Sequence, residues 1–323
     1  MKRARWVRDA AVAGNELHAM KKNITTHNLI NIGATLSLVS LFGAVMAAGR
    51  WVPWPVYIPL AAILFGSMYF SVFILILHEC SHNMFLLLAD RERSKRLNRL
   101  VGRIAGGVMF TEYVQHWEKG HTIHHLRPCE PDDPQDANPL TGWDLYRLYL
   151  LLLIPGYFVV LNPSAKYPGG AKRLVMGVLA WAPVFAAGGF LVGWPVPVAM
   201  ALGFSVLAAL NFTKKAQEHG AGLAHEEDPY LRSRTYLYPL SFLFSPFNIN
   251  YHFEHHANFN VPWYSLRAYH RKLMGGIVPE VLKPYYFHHE FFAQLAGTKP
   301  LPPAELRPLL VGPEDGKAAV IDG

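Results

Sequence analysis

The chain has 323 residues, of which 51% are hydrophobic and only 16% charged, against roughly 25% charged in an average soluble domain. With a mean hydropathy of +0.14, this composition excludes a disordered chain, a collagen-like repeat and an ordinary soluble enzyme, and points to several membrane spans. A formal charge of +7 suits either nucleic acid or a membrane surface; the apolar content decides for the membrane and against nucleic acid.

Residues 1–27 are basic, with Lys2, Arg3, Arg5, Arg8, Lys21 and Lys22 outnumbering Asp9 and Glu16. Residues 29–49 are then apolar and uncharged, long enough for a ~30 Å hydrocarbon core at ~1.5 Å per residue and longer than the roughly 7–15 apolar residues of a cleaved signal peptide. A second uncharged stretch, 54–77, follows the turn Arg50–Pro55, whose Trp51 and Trp54 suit a membrane interface. The loop 78–173 contains Leu97–Phe110, which mixes Arg99 and Arg103 with apolar residues and reads as a surface-lying amphipathic helix. Within the same loop, Tyr146–Leu161 carries Arg147 and Pro155 and reads as an interfacial or re-entrant segment rather than a span. Two more apolar runs, 174–192 and 196–212, are joined by Gly193-Trp194-Pro195. Region 213–297 follows, and the proline-rich stretch 298–323 is expected to be a poorly ordered tail.

Both short turns are poor in Lys and Arg, while the basic clusters lie at the other ends of the runs, among them Arg91, Arg93, Lys95, Arg96, Arg99 and Arg103. The positive-inside rule then places both termini, loop 78–173 and region 213–297 in the cytoplasm. The expected fold is an all-α, multi-pass integral membrane domain over 1–297, with four transmembrane helices in two hairpins and a cytoplasmic helical cap.

The 16 histidines are the anomaly in a chain this apolar, and eight of them fall into three boxes. His78 and His82 are spaced i, i+4 and share a helix face. His121, His124 and His125 form the second box and His252, His255 and His256 the third, each at i, i+3 and i+4 on one helical stripe. Eight ligands are too many for one four-coordinate zinc, which leaves most of them unused; two ions of higher coordination fit the count. Imidazole suits Zn, Cu, Fe and Ni alike, so the pattern does not choose the element. His219 is a ninth candidate and His116 a possible extra ligand or supporting residue. His270, His288 and His289 read as structural or exposed, and His18, His27 and His225 carry no signal. Glu79, Glu118 and Glu254 are candidates for orienting the rings.

The order HxxxH, HxxHH, HxxHH, together with the run Asn250–His256, Val261-Pro262 and His270, resembles the integral-membrane fatty acid desaturase and hydroxylase superfamily over about Leu29–Leu273. The resemblance implies a di-iron centre held by His78, His82, His121, His124, His125, His252, His255 and His256, completed by His219. It also implies O2 as co-substrate and an oxidoreductase acting on an acyl or lipid chain in the bilayer, most simply a fatty acid desaturase. Some relatives carry a fused haem module with a His-Pro-Gly-Gly motif. Here Tyr167-Pro168-Gly169-Gly170 lacks the histidine, so a separate donor of ferredoxin, cytochrome b5 or rubredoxin type is expected to supply electrons.

Three other readings compete. The same ligand set serves a lipid or alkyl hydroxylase, or an acetylene-forming variant. His78-Glu79-Cys80-Ser81-His82 also matches the H-E-x-x-H of zinc metalloproteases, a reading that orphans six histidines. The third is a non-enzymatic membrane protein that binds metal or haem; haem would need only one or two axial histidines, not three helical clusters.

Overall fold

A computed structural model describes residues 4–135, 140–154, 156–161, 170–220, 222–299 and 301–311. In chain order the α-helices of six or more residues are α1 (Arg5–Gly14), α2 (Ile24–Ala48), α3 (Trp54–Val72), α4 (Arg91–Val108), α5 (Gly120–Leu126), α6 (Gly142–Leu152), α7 (Gly170–Leu191), α8 (Pro195–His219), α9 (His252–Ala257) and α10 (Leu266–Met274). The chain divides into two compact units, one of Met1–Lys21, Ile123–Gly142 and Lys214–Gly323, the other of Lys22–Thr122 and Trp143–Thr213.

The second unit holds the apolar helices. Four helices, Ile24–Ala48, Trp54–Ser81, Lys172–Leu191 and Pro195–His219, are long and apolar enough to cross a membrane. Leu29, Ile32, Leu36 and Val39 of α2 and Val175, Val178 and Leu179 of α7 stand exposed, which in water would be costly and in lipid is the expected outer face. Where hydrocarbon surrounds a bundle, close packing rather than water exclusion holds its helices together. A Cβ on Gly66 of α3 would meet Val206 and the Gly203 carbonyl of α8, so only glycine permits this backbone approach. Beside that contact, Tyr69 stacks on Phe204 at 4.5 Å and meets Trp181 edge-on at 5.1 Å, and its hydroxyl donates to the Met200 carbonyl. Two turns meet at one end of this unit: Arg50 Nη2 donates to the Leu191 carbonyl at 2.6 Å, and Trp54 packs on Trp194 at 5.6 Å.

α3 does not end as an α-helix. It continues as a π-helical segment, Phe73–His78, and then a short α-turn, Glu79–Ser81. A second π-helical segment, Tyr113–Lys119, leads directly into α5. Neither was expected from the sequence, because a short apolar or mixed run does not betray one extra residue in a turn.

The loop after His82 has little regular structure, yet its backbone is fastened by side chains. Asn98 Oδ1 accepts from the amides of Phe85 and Leu86 at 3.0 and 3.1 Å, Asn28 Oδ1 from that of Leu87 at 2.8 Å, and Asn31 Nδ2 donates to the Phe85 carbonyl at 2.7 Å. His27 Nε2 donates to the Met84 carbonyl at 2.6 Å, which gives a role to a histidine without a sequence signal.

The amphipathic segment expected at 97–110 is part of the longer α4, which starts six residues earlier because Asp90 caps it, Oδ1 accepting from Arg93 N at 2.9 Å. The segment expected at 146–161 is α6 followed by a break. It buries Leu145, Leu148 and Leu152 and exposes Leu150, Leu153 and Ile154, leaving apolar side chains on both faces.

In the first unit, α1 packs on α9 and α10 around a core that includes Trp6, Val7, Phe253, Tyr269, Leu273 and Tyr286. A short parallel pair, β1 (Thr235–Tyr236) with β2 (Phe287–His288), braces the approach to α9. The stretch expected to be disordered from 298 departs from that expectation over 301–311. Its 3-10 helix Ala304–Leu309 packs on this core, and the Leu309 carbonyl accepts from Trp6 Nε1 at 2.7 Å. Apolar Leu301, Leu306, Leu309 and Leu310 outweigh the prolines there; residues 312–323 lie outside the described residues, as do Tyr167, Pro168 and Gly169.

Candidate metal centre

The histidine spacings become geometry through short helices. In the second unit His78 ends the π-helical segment, His82 follows one turn on, and His121 lies in the first turn of α5. Their three ring centroids form a triangle with sides of 4.8 Å. The π turn before His78 widens the backbone by one residue, which sets the direction in which His78 and His82 leave α3.

In the first unit His124 of α5, His219 at the end of α8, and His252 and His256 of α9 converge. One ring nitrogen from each lies within 4.8 Å of the others, near the roughly 4.2 Å that separates two imidazole nitrogens placed ~2.1 Å from an ion on opposite sides. All four are buried. The same unit brings His125 and His255 to 4.6 Å between ring centres. The two HxxHH boxes therefore do not act as single stripes: within α9, His252 and His256 face the quartet while His255 faces His125.

Four of the ring nitrogens that point away from these clusters face oxygens. His124 Nδ1 donates to Asp133 Oδ2 at 2.8 Å, His219 Nδ1 to the Arg232 carbonyl at 2.8 Å, and His78 Nδ1 to Glu79 Oε1 at 3.1 Å. His252 Nδ1 lies 3.2 Å from Glu218 Oε1, and the other oxygen of Glu218 takes Lys214 Nζ at 2.5 Å. With the proton of a neutral ring on Nδ1, the lone pair sits on Nε2. His219 Nε2 and His252 Nε2 face each other at 2.9 Å. Two lone pairs at that distance repel, and a shared cation turns the repulsion into attraction, so the donor set fits a metal ion.

Electrostatics agree. Burial, and then the neighbouring His256 and the Lys214 ammonium, hold the His252 imidazole far below its ordinary value, so the ring is neutral and able to ligate. Burial pushes the Asp133 carboxyl up, but the bond from His124 and the amides of Gln135 and Cys129 outweigh it and hold the acid at about 2.

The remaining candidates lie elsewhere. His116 is buried against Trp117 and belongs to neither cluster. His270 pairs with Glu254, which also takes the Thr235 hydroxyl. His288 donates from Nε2 to the Tyr285 carbonyl, and burial, followed by Arg234, presses it down to about 3; His289 is exposed. Of the three candidate orienting carboxylates, Glu79 meets a cluster histidine, whereas Glu118 pairs with Arg99 at 2.9 Å and Glu254 turns to His270.

A family model described as fatty acid desaturase matches residues 49–289. The chain belongs to the fatty acid desaturase family. Among curated proteins no individual sequence matches it. The matched stretch of this desaturase-family chain contains all nine candidate ligands and three of its four apolar helices. Membership makes it a membrane-associated oxidoreductase, and the zinc-protease reading of His78–His82 has no place in that family.

Asp133 and Glu218 escaped the sequence reading. Asp133→Asn should weaken metal binding at the quartet by about 10- to 100-fold, the usual cost of removing a carboxylate behind a ligating histidine. Chelator competition followed by elemental analysis would measure it, and wild-type retention would show that the Asp133–His124 contact is dispensable.

Proposed function

We propose that this chain is an O2-dependent di-iron fatty acid desaturase, in which His78, His82, His121, His124, His125, His219, His252, His255 and His256 hold the two irons. The observation that carries this is the convergence of the histidines into two clusters, with the Nδ1 of His78, His124, His219 and His252 facing oxygens, in a chain of this family. Two irons bound there would supply the O2 reduction and C–H oxidation that zinc, being redox-inert, cannot. Overall, O2, two electrons and two protons convert a CH2–CH2 unit into CH=CH and two waters.

The chain's own residues prepare that chemistry. Asp133, the Arg232 carbonyl and Glu79 fix the tautomers and ring planes of His124, His219 and His78. The Lys214–Glu218 pair does the same for His252. Burial of the rings keeps bulk water from the ions.

The four apolar helices are proposed as two hairpins, with both termini and the histidines on the cytoplasmic side, a reading supported by the Lys and Arg distribution. Electrons are proposed to arrive from a separate ferredoxin-, cytochrome b5- or rubredoxin-type carrier. A hydroxylase would use the same ligands, and its product distinguishes it. Expressed with a reductase and carrier in a host lacking the activity, the protein should yield lipids two hydrogens lighter by mass spectrometry. Products one oxygen heavier would assign a hydroxylase, and unchanged lipids would sink both.

A further inference from the structure

α4 carries three faces, none of which bears a candidate ligand. Ser94, Asn98, Gly102 and Gly106 form a buried stripe at i, i+4 spacing; a Cβ on Gly102 would come within 2.2 Å of the Tyr113 ring. Arg96, Arg99 and Arg103 line a second face at i, i+3 and i+7. Leu100 and Ile104 form a third face, 57% and 60% exposed. A basic strip beside an exposed apolar edge is the pattern of a helix lying in a lipid interface.

The end of α4 has a defined depth in its own unit. The Val108 carbonyl accepts from Trp181 Nε1 at 2.7 Å, and a Cβ on Gly107 would touch Met176 and one on Gly177 would touch Phe110. Met176, Gly177 and Trp181 lie inside the apolar helix Lys172–Leu191, so residues 107–110 pack against a membrane span. Arg103 is the last charge before that contact, five residues and roughly 7 Å along the helix from Val108. The helix thus changes from basic to apolar where it meets the span.

We propose that α4 binds anionic phospholipid: Arg96 and Arg103 take headgroup phosphates while Leu100 and Ile104 enter the adjoining acyl region. This rests on the membrane-spanning part of the reading above and goes beyond its chemistry. Because residues 107–110 pack against a membrane span, Leu100 and Ile104 lie near the lipid boundary, which favours lipid over a soluble acidic protein. Lipid charge also has a path to the ligands, because Arg99 pairs with Glu118 just before His121 and Asn98 holds the loop that follows His82.

The test uses the full chain in lipid nanodiscs of phosphatidylcholine with a minor share of phosphatidylglycerol, reading the lipids retained around the protein after exchange. The wild type should enrich phosphatidylglycerol, and high salt should reduce the enrichment. Arg96→Gln with Arg103→Gln should lower it by on the order of tenfold while leaving turnover in pure phosphatidylcholine unchanged. Arg96→Lys with Arg103→Lys keeps the charge and should keep the enrichment. Salt-independent wild-type enrichment, or unchanged enrichment in the glutamine pair, would overturn the proposal. If the glutamine pair enriches normally but loses turnover driven by a carrier protein, the arginines form a protein-docking surface instead. A wild-type chain that enters neither disc would remove the membrane reading itself.

Discussion

His256→Ala should leave a single firmly held metal per chain and less than about a thousandth of wild-type turnover, because ligands that act as a unit fail as a unit. His256 is the hub of its cluster, with ring centres 5.0 Å from His124, 5.1 Å from His219 and 4.5 Å from His252. Removing it leaves three imidazoles around a gap on the side where their lone pairs converge. His219→Ala opens the same cluster from another side and should deplete the same ion, whereas His82→Ala should deplete the other. His288→Ala should touch neither, since that ring is spent on the Tyr285 carbonyl. Elemental analysis on monodisperse protein, paired with product assay, reads all four. Two retained metals and near-normal turnover in His256→Ala would remove that residue from the ligand set.

Inserting one alanine between Ile76 and Leu77 should abolish metal binding at the cluster of His78, His82 and His121 although no histidine is changed. The π-helical segment Phe73–His78 already contains one residue more than an α-helix needs for the same path, so it has no slack for a second. Everything after it then turns by about 100° relative to α3, the rotation of one helical residue. His78 and His82 keep their mutual spacing and lose their direction. Ile76→Ala, which shortens the side chain without changing register, should retain metal and serves as the control. Wild-type metal content in the variant with the added alanine, with membrane integration unchanged, would mean that the register of this segment does not aim the candidate ligands.

The sequence exposed the parts of this molecule that are periodic. Four apolar runs are visible because length alone reports them, and the histidine boxes because i, i+3 and i+4 spacing on a short helix leaves few ways to scatter the rings. Asp133 was invisible for the opposite reason: it reaches His124 from nine residues away, through an irregular loop around Cys129 that no periodicity describes. Glu218 could have been suspected as the neighbour of His219, but its ring partner is His252, 34 residues on, and only tertiary structure makes that pairing. The assignment of His255 to a different cluster from its neighbours His252 and His256 was equally hidden, since it depends on what packs against each side of α9. Glu118 looked like a ring-orienting residue by its nearness to His121, yet it lies within the π-helical segment and pairs with Arg99.

Loops are ordinarily the first places where amide protons trade with deuterium from solvent, since their backbone groups point at water. The stretch after His82 reverses that order. Three successive amides, those of Phe85, Leu86 and Leu87, each donate to the carboxamide of a helix-borne asparagine, so their protons leave only when α2 or α4 lets go. The proposed ligand at the mouth of this loop, His82, is thereby clamped on the timescale of helix opening rather than of loop motion. A histidine that must return to the same place after every turnover inherits, from Asn28 and Asn98, the lifetime of a fold.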